Sequence, residues 1–335
     1  MHTPRLCIDG RAAAEFETQG LVAQELIDQL VAAQGHPHAG SEWVEKRRTV
    51  LLSHPSQVFS GQLKRFDTKR RIGSSFFYSA WEKHFVESSS ITAFHRFRPA
   101  DRMEPFLECP TITTVLPAYR SLGATLPTAP ESHRFVVPSQ RDATLLNEEC
   151  RIPEEQIRVI RPSARRYVHF ADESPTSYEG QILFLTDGGG ELDLRKLQHV
   201  VSGQYPQLPL RTFKFSEARE FSAKQWMKTL QFTSLCFYLT ERAFDWPFLA
   251  LESLYFNVPV IFMDKHSALS ELLPLSPLRL SQYLTDFTTS SQLREAVENA
   301  RTHLSDQGVL QQHHQALNYT QLYAEIPGAP TFAEV

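Results

Sequence analysis

Short apolar runs alternate along this chain with stretches whose apolar residues recur at helical spacing, the pattern of a parallel sheet with crossover helices. Arg5–Ile8 reads as a first strand, closed by the turn Asp9–Gly10–Arg11. From Gly20 to Ala33 the apolar positions Leu21, Val22, Leu26, Ile27, Leu30 and Val31 fall on one side of a helix. Further strands are predicted at Ile91–Phe94, Thr111–Val115, Arg134–Val137 and Ile157–Ile160. Residues 34–90 carry no clean period. Lys64–Arg71 is basic and Ser74–Phe85 is rich in aromatics. A solvated face beside a packed aromatic cluster explains both better than a nucleic-acid platform, which comes with a broader positive surface.

The composition changes at 171–181, ADESPTSYEGQ, where Pro, Ser, Gly and acidic residues replace aliphatics and a linker is expected. A second set of strands follows at Gln181–Leu185, Arg211–Phe215, Ser234–Leu239 and Val258–Phe262, with an amphipathic helix over Ser291–Leu304. The end, from Gly328, reads as loosely ordered. The organisation expected is a first α/β domain over 1–170, a linker at 171–180, a second α/β domain over 181–318 and a tail over 319–335.

With 335 residues, 41% of them hydrophobic, the chain can bury two cores of ordinary size. Its net charge of −4 creates no global field for nucleic acid. The charge is uneven: residues 1–170 hold 22 Lys and Arg against 19 Asp and Glu, and the remainder holds 12 against 19. That split is a mild sign of two working halves. Cys7, Cys109, Cys150 and Cys236 lie far apart without C-x-x-C spacing, and read as buried thiols in a reducing compartment. The histidines are scattered, and neither His36/His38 nor His313/His314 suggests zinc. No apolar run approaches the ~20 residues that span a bilayer, and Met1–Gly10 does not have the form of a signal peptide. A cytoplasmic protein is expected, with peripheral membrane contact left open.

Four segments carry a family resemblance. Within Leu6–Leu26 runs CIDGRAAAEFETQGLVAQEL, a strand, an Asp-Gly-Arg turn, a glycine-containing loop and a first helix. Arg134–Ile160, RFVVPSQRDATLLNEECRIPEEQIRVI, is a strand, a Ser, a helix, a Pro-Glu-x-x-Ile turn and a strand. Gln181–Leu197 takes a strand into a glycine turn. Within Ser234–Leu272 lies PFLALESLYFNVPVIFMD, a glutamate-bearing helix, a small turn and Val-Pro-Val-Ile. In this order the segments resemble the retaining glycosyltransferase family of GT-B fold that includes bacterial mannosyl- and glucosyltransferases (group 1 type). The resemblance runs from near the start to about Arg301. It implies two Rossmann-like domains with parallel sheets facing across a cleft, a nucleotide-sugar donor bound mainly by the second domain and an acceptor by the first. It further implies transfer with retention, no cofactor beyond the donor itself and no obligatory metal.

Nucleotide-sugar transfer needs an anion site for a diphosphate, acceptors for sugar and ribose hydroxyls, and positive charge at the leaving phosphate. Glu252 matches the family's ribose-binding glutamate, the alternative being a helix-surface residue placed by the dipole. Where the family has a second glutamate, this chain has Phe244; Glu241 and Asp245 stand nearby and could serve, or could be plain loop carboxylates. The turn Asp187–Gly188–Gly189–Gly190 allows close backbone approach, but Thr186 and Asp187 replace the family's arginine, and Arg195 or Lys196 would have to stand in for its lysine. In the first domain, Gly20 matches the second glycine of the family's loop while Thr18 occupies the place of the first. His95 matches a histidine at a strand end, where open α/β sheets bind ligands, though a lone histidine there is more often structural. Arg161 and Arg165 could offer charge to phosphates or simply lie on the surface. Leu116–Pro117–Ala118 stands where the family often has a catalytic His-Asp.

Two readings follow. In the first, the chain is a glycosyltransferase acting on an unidentified glycan, lipid-linked or protein acceptor. In the second, it is a catalytically degenerate relative that binds or assembles with partners. A dinucleotide-binding Rossmann enzyme lacks support, since no G-x-G-x-x-G follows a strand.

Overall fold

The computed structural model describes residues 5–11, 23–25, 27, 49–53, 64–67, 76–99, 108–116, 130–161, 180–186, 191–214, 217, 223–239, 248–256, 258–262, 294–295, 297–298 and 315–326. The chain divides into two units, Met1–Ser163 together with His314–Val335, and Ala164–His313.

The first unit is built on seven parallel strands: β1 (Leu6–Asp9), β2 (Thr49–Ser53), β3 (Lys64–Asp67), β4 (Ala93–Pro99), β5 (Thr111–Leu116), β6 (Arg134–Val137) and β7 (Ile157–Val159). Their order is β3-β2-β1-β4-β5-β6-β7. Every pairing is parallel, so both faces must be covered. The alternation of side chains does this directly. Leu6 and Ile8 of β1 point to one face with Ala93, Phe97 and Ile112, while Cys7 points to the other with Val50, Leu52 and Phe94. The second face is packed by Phe85 and Val86 of helix α1 (Phe76–Ser88). Farther along the sheet, Ala143, Leu146 and Cys150 of α2 (Gln140–Cys150) pack on Phe135 and Val137.

Helix α2 shows how local sequence sets the boundaries. Ser139, in extended conformation, accepts a hydrogen bond from the Asp142 amide and caps its start. Arg151 ends it in the left-handed region at φ 56°. Pro153 then opens a single 3-10 turn, Glu154–Gln156, which delivers the chain to β7.

Residues 34–90, which show no clean period, contribute β2, β3 and α1 to this sheet. β2 is the short run TVLLS directly after the charged EKRR, and β3 is the first half of the basic stretch. Brief elements of this kind leave too few positions for a period to register.

The chain end also departs from expectation. Of the stretch 319–335 expected as a tail, residues up to Ala324 belong to helix α6 (Gln315–Ala324). Its Tyr319, Leu322 and Tyr323, with Ile326 beyond, are buried in the core of the first unit. The spacing 319, 322, 323, 326 is a helical apolar stripe, which accounts for the docking.

The second unit holds four parallel strands, β8 (Gln181–Thr186), β9 (Leu210–Lys214), β10 (Thr233–Leu239) and β11 (Val260–Phe262), in the order β11-β10-β8-β9. Helices α3 (Glu191–Gln204), α4 (Ala223–Gln231) and α5 (Phe248–Tyr255) alternate with them. Ile182, Phe184, Leu235, Phe237 and Ile261 form one core face with Leu197 and Val201 of α3, and Phe184 stacks on Phe237 with centroids 4.9 Å apart.

Gly180, the one described residue of the expected linker, sits under β10. A Cβ there would lie 2.3 Å from the Phe232 carbonyl oxygen, the same oxygen that accepts the Gln181 amide at 2.8 Å. Only a residue without a side chain lets β8 begin at that register.

Candidate functional site

At the carboxyl end of β1 the Asp-Gly-Arg turn folds back on itself. Gly10 N–H still donates to Leu52 O at 2.8 Å, extending the ladder by one bond. Arg11 then reverses onto Asp9, with Nε to Oδ1 at 2.8 Å and Nη2 to Oδ2 at 2.7 Å. Glu82, from α1, takes a second hydrogen bond from Nη2, and the guanidinium lies 5.5 Å from the Trp81 ring centroid. Asp9, Arg11 and Glu82 are all buried. Burial works to lower the Arg11 pKa, but the two carboxylates outweigh it and raise the value, so the guanidinium stays charged. This three-residue ion cluster fixes the mouth of β1, where open α/β sheets carry their ligand sites. The sequence shows the turn but not Glu82, which arrives from 71 positions away.

His95 is not at a strand end. It lies inside β4, between Ala93 and Phe97 on the face that packs against α6. Its Nδ1 is 2.7 Å from Tyr323 Oη and its Nε2 is 2.8 Å from Thr114 Oγ1, which in turn is 2.8 Å from Tyr319 Oη. Burial lowers its pKa to about 3, outweighing the opposing effect of Asp9, so the ring is neutral. With 0% exposure and both nitrogens engaged, His95 is a core group and not an acceptor-side or phosphate-side ligand. The expectation at this position is therefore corrected. The strand runs on past Phe94 through HRFRP because His95 and Arg96 are buried within the sheet.

In the second unit Glu252 is the fifth residue of α5 rather than its opening residue. It is 0% exposed, which removes the surface-glutamate alternative. Its Oε2 accepts a hydrogen bond of 2.8 Å from Nε1 of Trp226 on α4, also fully buried. The next residue, Ser253, donates to Leu249 O at 2.9 Å and hydrogen-bonds the Cys236 thiol, whose pKa burial pushes up to about 12. Glu252 thus sits on a helix locked to β10, with a neutral donor holding one carboxylate oxygen. Trp226 is a residue that sequence reasoning missed. Its position in an amphipathic helix reads as ordinary core, and only the tertiary contact links it to the glutamate.

Lys196 is half-buried on α3, and Arg195 beside it is exposed. Arg161, just after β7, is half-buried. Within the second unit, no described contact links Lys196 to Glu252. Gly20, Gly188, Gly189, Glu241 and Asp245 lie outside the described residues, as does the linker 171–179. Among the described residues no helix is long and apolar enough to cross a membrane.

No protein-family model matches the sequence, and no curated protein is detectably similar to it. Solved structures do resemble the fold over nearly the whole chain. A glycosyltransferase from Rickettsia africae superposes with a TM-score of 0.59 at 10% identity, covering 97% of this chain and 99% of its own. Anabaena HepE, solved in complex with UDP and glucose, gives 0.57 at 12% identity, with 97% and 99% covered. A UDP-GlcNAc 2-epimerase from Neisseria meningitidis, bound to UDP-GlcNAc, gives 0.52 at 8% identity, with 96% and 99% covered. The class the fold defines is accordingly the GT-B α/β architecture. At these identities the likeness establishes architecture, and function must be argued from the site.

Proposed function

We propose that this chain is a glycosyltransferase that binds a nucleoside-diphosphate sugar in its second unit and transfers the sugar to an acceptor held by the first. The observation that carries the reading is Glu252, a fully buried carboxylate on α5, hydrogen-bonded by a neutral indole. An ionised carboxylate is an acceptor of hydrogen bonds only, the chemistry that ribose hydroxyls require. The fold adds weight, because two of the similar structures contain UDP or a UDP-sugar. UDP is therefore the first nucleotide to test. Glu241, Asp245, Gly188, Gly189 and Lys196 complete the proposed donor site, with Gly20 and Arg161 on the acceptor or phosphate side and transfer with retention.

The experiment is thermal stabilisation by UDP, GDP, ADP and their hexose conjugates, followed by a search for sugar release or transfer. A nucleotide at a hundred times its Kd stabilises by about 2.7 kcal/mol, a readily measured shift. Loss of that shift in Glu252→Ala, with the melting temperature of the free protein little changed, supports the donor site. Absence of any shift across the panel refutes it. Binding without sugar release or transfer would instead favour a relative that has kept the site and lost the chemistry. Leu116–Pro117–Ala118, standing where the resembled family has His-Asp, favours that second reading.

A further inference from the structure

The chain leaves the first unit after Ser163 and returns to it at His314. What comes back is α6, whose stripe of Tyr319, Leu322, Tyr323 and Ile326 enters the same core as Leu6, Ile8, Ala93, Phe97 and Ile112. On the sheet side, His95 is a polar member of that contact. Two of the three rings described against it belong to α6. Tyr319 stacks on it with centroids 5.1 Å apart and Tyr323 meets it edge-on at 5.7 Å, while Phe97 of its own strand lies at 4.7 Å. One of its two hydrogen-bond partners, Tyr323 Oη, comes from α6, and the other, Thr114 Oγ1, is itself bonded to Tyr319 Oη. The helix thus supplies much of the cover of the ring.

The proton inventory of this network fits a neutral ring. A neutral imidazole donates from one nitrogen and accepts at the other, and each hydroxyl donates once. Tyr323, His95, Thr114 and Tyr319 can therefore be joined in either direction without charge. Asp9 of β1 favours an additional proton on the ring, but burial outweighs it. Asp9 is also paired to Arg11. From α6 the ring meets the phenols of Tyr319 and Tyr323, which burial keeps protonated, and from β5 the hydroxyl of Thr114. Glu25, buried on the helical stretch that brings Ala23 and Ile27 to this core, is a further carboxylate. At the end of α6, Glu325 pairs with Arg158 of β7 at 3.1 Å, an exposed contact that adds little to the docking.

We propose that α6 is a proton-linked strap: it docks on the β4–β5 face by locking onto a proton-free His95, and its release, ahead of unfolding of the sheet beneath, takes up a proton on that ring. In water the ring returns to the ordinary histidine value of about 6.5. Docking is therefore at full strength above that pH and weakens as the pH falls below it. With α6 released, the crossing after Ser163 alone joins the two units. The strap stands independently of the donor-site reading of Glu252.

The test is hydrogen–deuterium exchange of the full-length protein at pH 7 and pH 5, read by mass spectrometry and corrected for the intrinsic pH dependence of amide exchange. Opening of peptides within 315–326 should rise about twenty-five-fold from pH 7 to pH 5, the factor for a histidine whose pKa moves from about 3 to about 6.5 on release. Peptides from β1 and β5 should stay more protected than α6 at both values. His95→Gln keeps a neutral donor and acceptor but takes up no proton, so its α6 opening should change by about threefold or less. If that variant does not fold, Tyr323→Phe decides. It removes one hydrogen bond of the lock, so it should open α6 about fivefold more at both pH values and keep the pH dependence. Four results overturn the proposal: α6 exchanging only in step with β1 and β5, a wild-type pH dependence below about threefold, a full dependence surviving in His95→Gln, or Tyr323→Phe opening no more than wild type.

Discussion

The buried histidine of β4 makes a quantitative prediction about acid stability. His95 has a folded pKa near 3 because burial disfavours its charged form, and in the unfolded chain it returns to about 6.5. Between those values the unfolded chain binds more protons than the folded one, so stability is complete above about pH 6.5 and drains away as the pH falls toward 3. From pH 7 to pH 5 the difference amounts to about 2 kcal/mol for this one group. His133, lowered to about 4 by burial and by the charges of Arg96 and Arg134, works in the same direction and adds a similar amount over that interval.

The assay is urea unfolding by far-UV circular dichroism at pH 7, 6 and 5, on wild type and His95→Gln. The variant can lose stability at every pH, because it disturbs the hydrogen bonds to Tyr323 and Thr114. What matters is the slope. Carboxylates and His133 titrate alike in both proteins, so the loss between pH 7 and pH 5 should be smaller in His95→Gln by about 2 kcal/mol. Equal losses in the two proteins would mean that His95 is already solvated or protonated in the native state, and the buried network of His95, Thr114, Tyr319 and Tyr323 would be refuted.

Two further outcomes are expected. Arg11→Met should destabilise the first unit by about 3–5 kcal/mol, because it strands Asp9 and Glu82 as buried carboxylates without their shared cation; a melting temperature within a degree of wild type would contradict the cluster. Gly180→Ala should cost about 1–3 kcal/mol, since its Cβ would meet backbone at Phe232 and not a yielding side chain, and an unchanged thermal melt would show that β8 can begin in another register.

Much of the architecture was legible because parallel strands are continuous apolar runs. LCID, TITTVL, RFVV, QILFLT and TSLCFYL declare themselves without help from their neighbours. What escaped did so for identifiable reasons. β3 is KRFD, whose three charged residues hide a strand inside what looks like a basic patch. β4 runs past the predicted Ile91–Phe94 to Pro99, and the polar His95 and Arg96 within it are buried, which an apolar-run reading does not capture. The helix α6 carries its own apolar stripe, but nothing local says that a segment past position 313 packs on a sheet begun at position 6.

The same limit governs the candidate site. Asp9, Arg11, Glu82, His95 and Glu252 are all polar and all fully or almost fully buried. Burial alone does not separate them. What separates them is the group at the other end of each hydrogen bond. His95 gives both nitrogens to hydroxyls of its own core, which leaves no ring nitrogen for a ligand. Asp9 and Glu82 share an internal cation, and their charge is answered within the fold. Glu252 accepts a hydrogen bond from a buried indole on a neighbouring helix, and a carboxylate is costly to bury. If Glu252→Gln proves more stable than wild type by thermal melting while nucleotide affinity falls, stability has been sacrificed at this position for binding; if the substitution destabilises and leaves nucleotide affinity unchanged, Glu252 belongs with His95 among the structural groups.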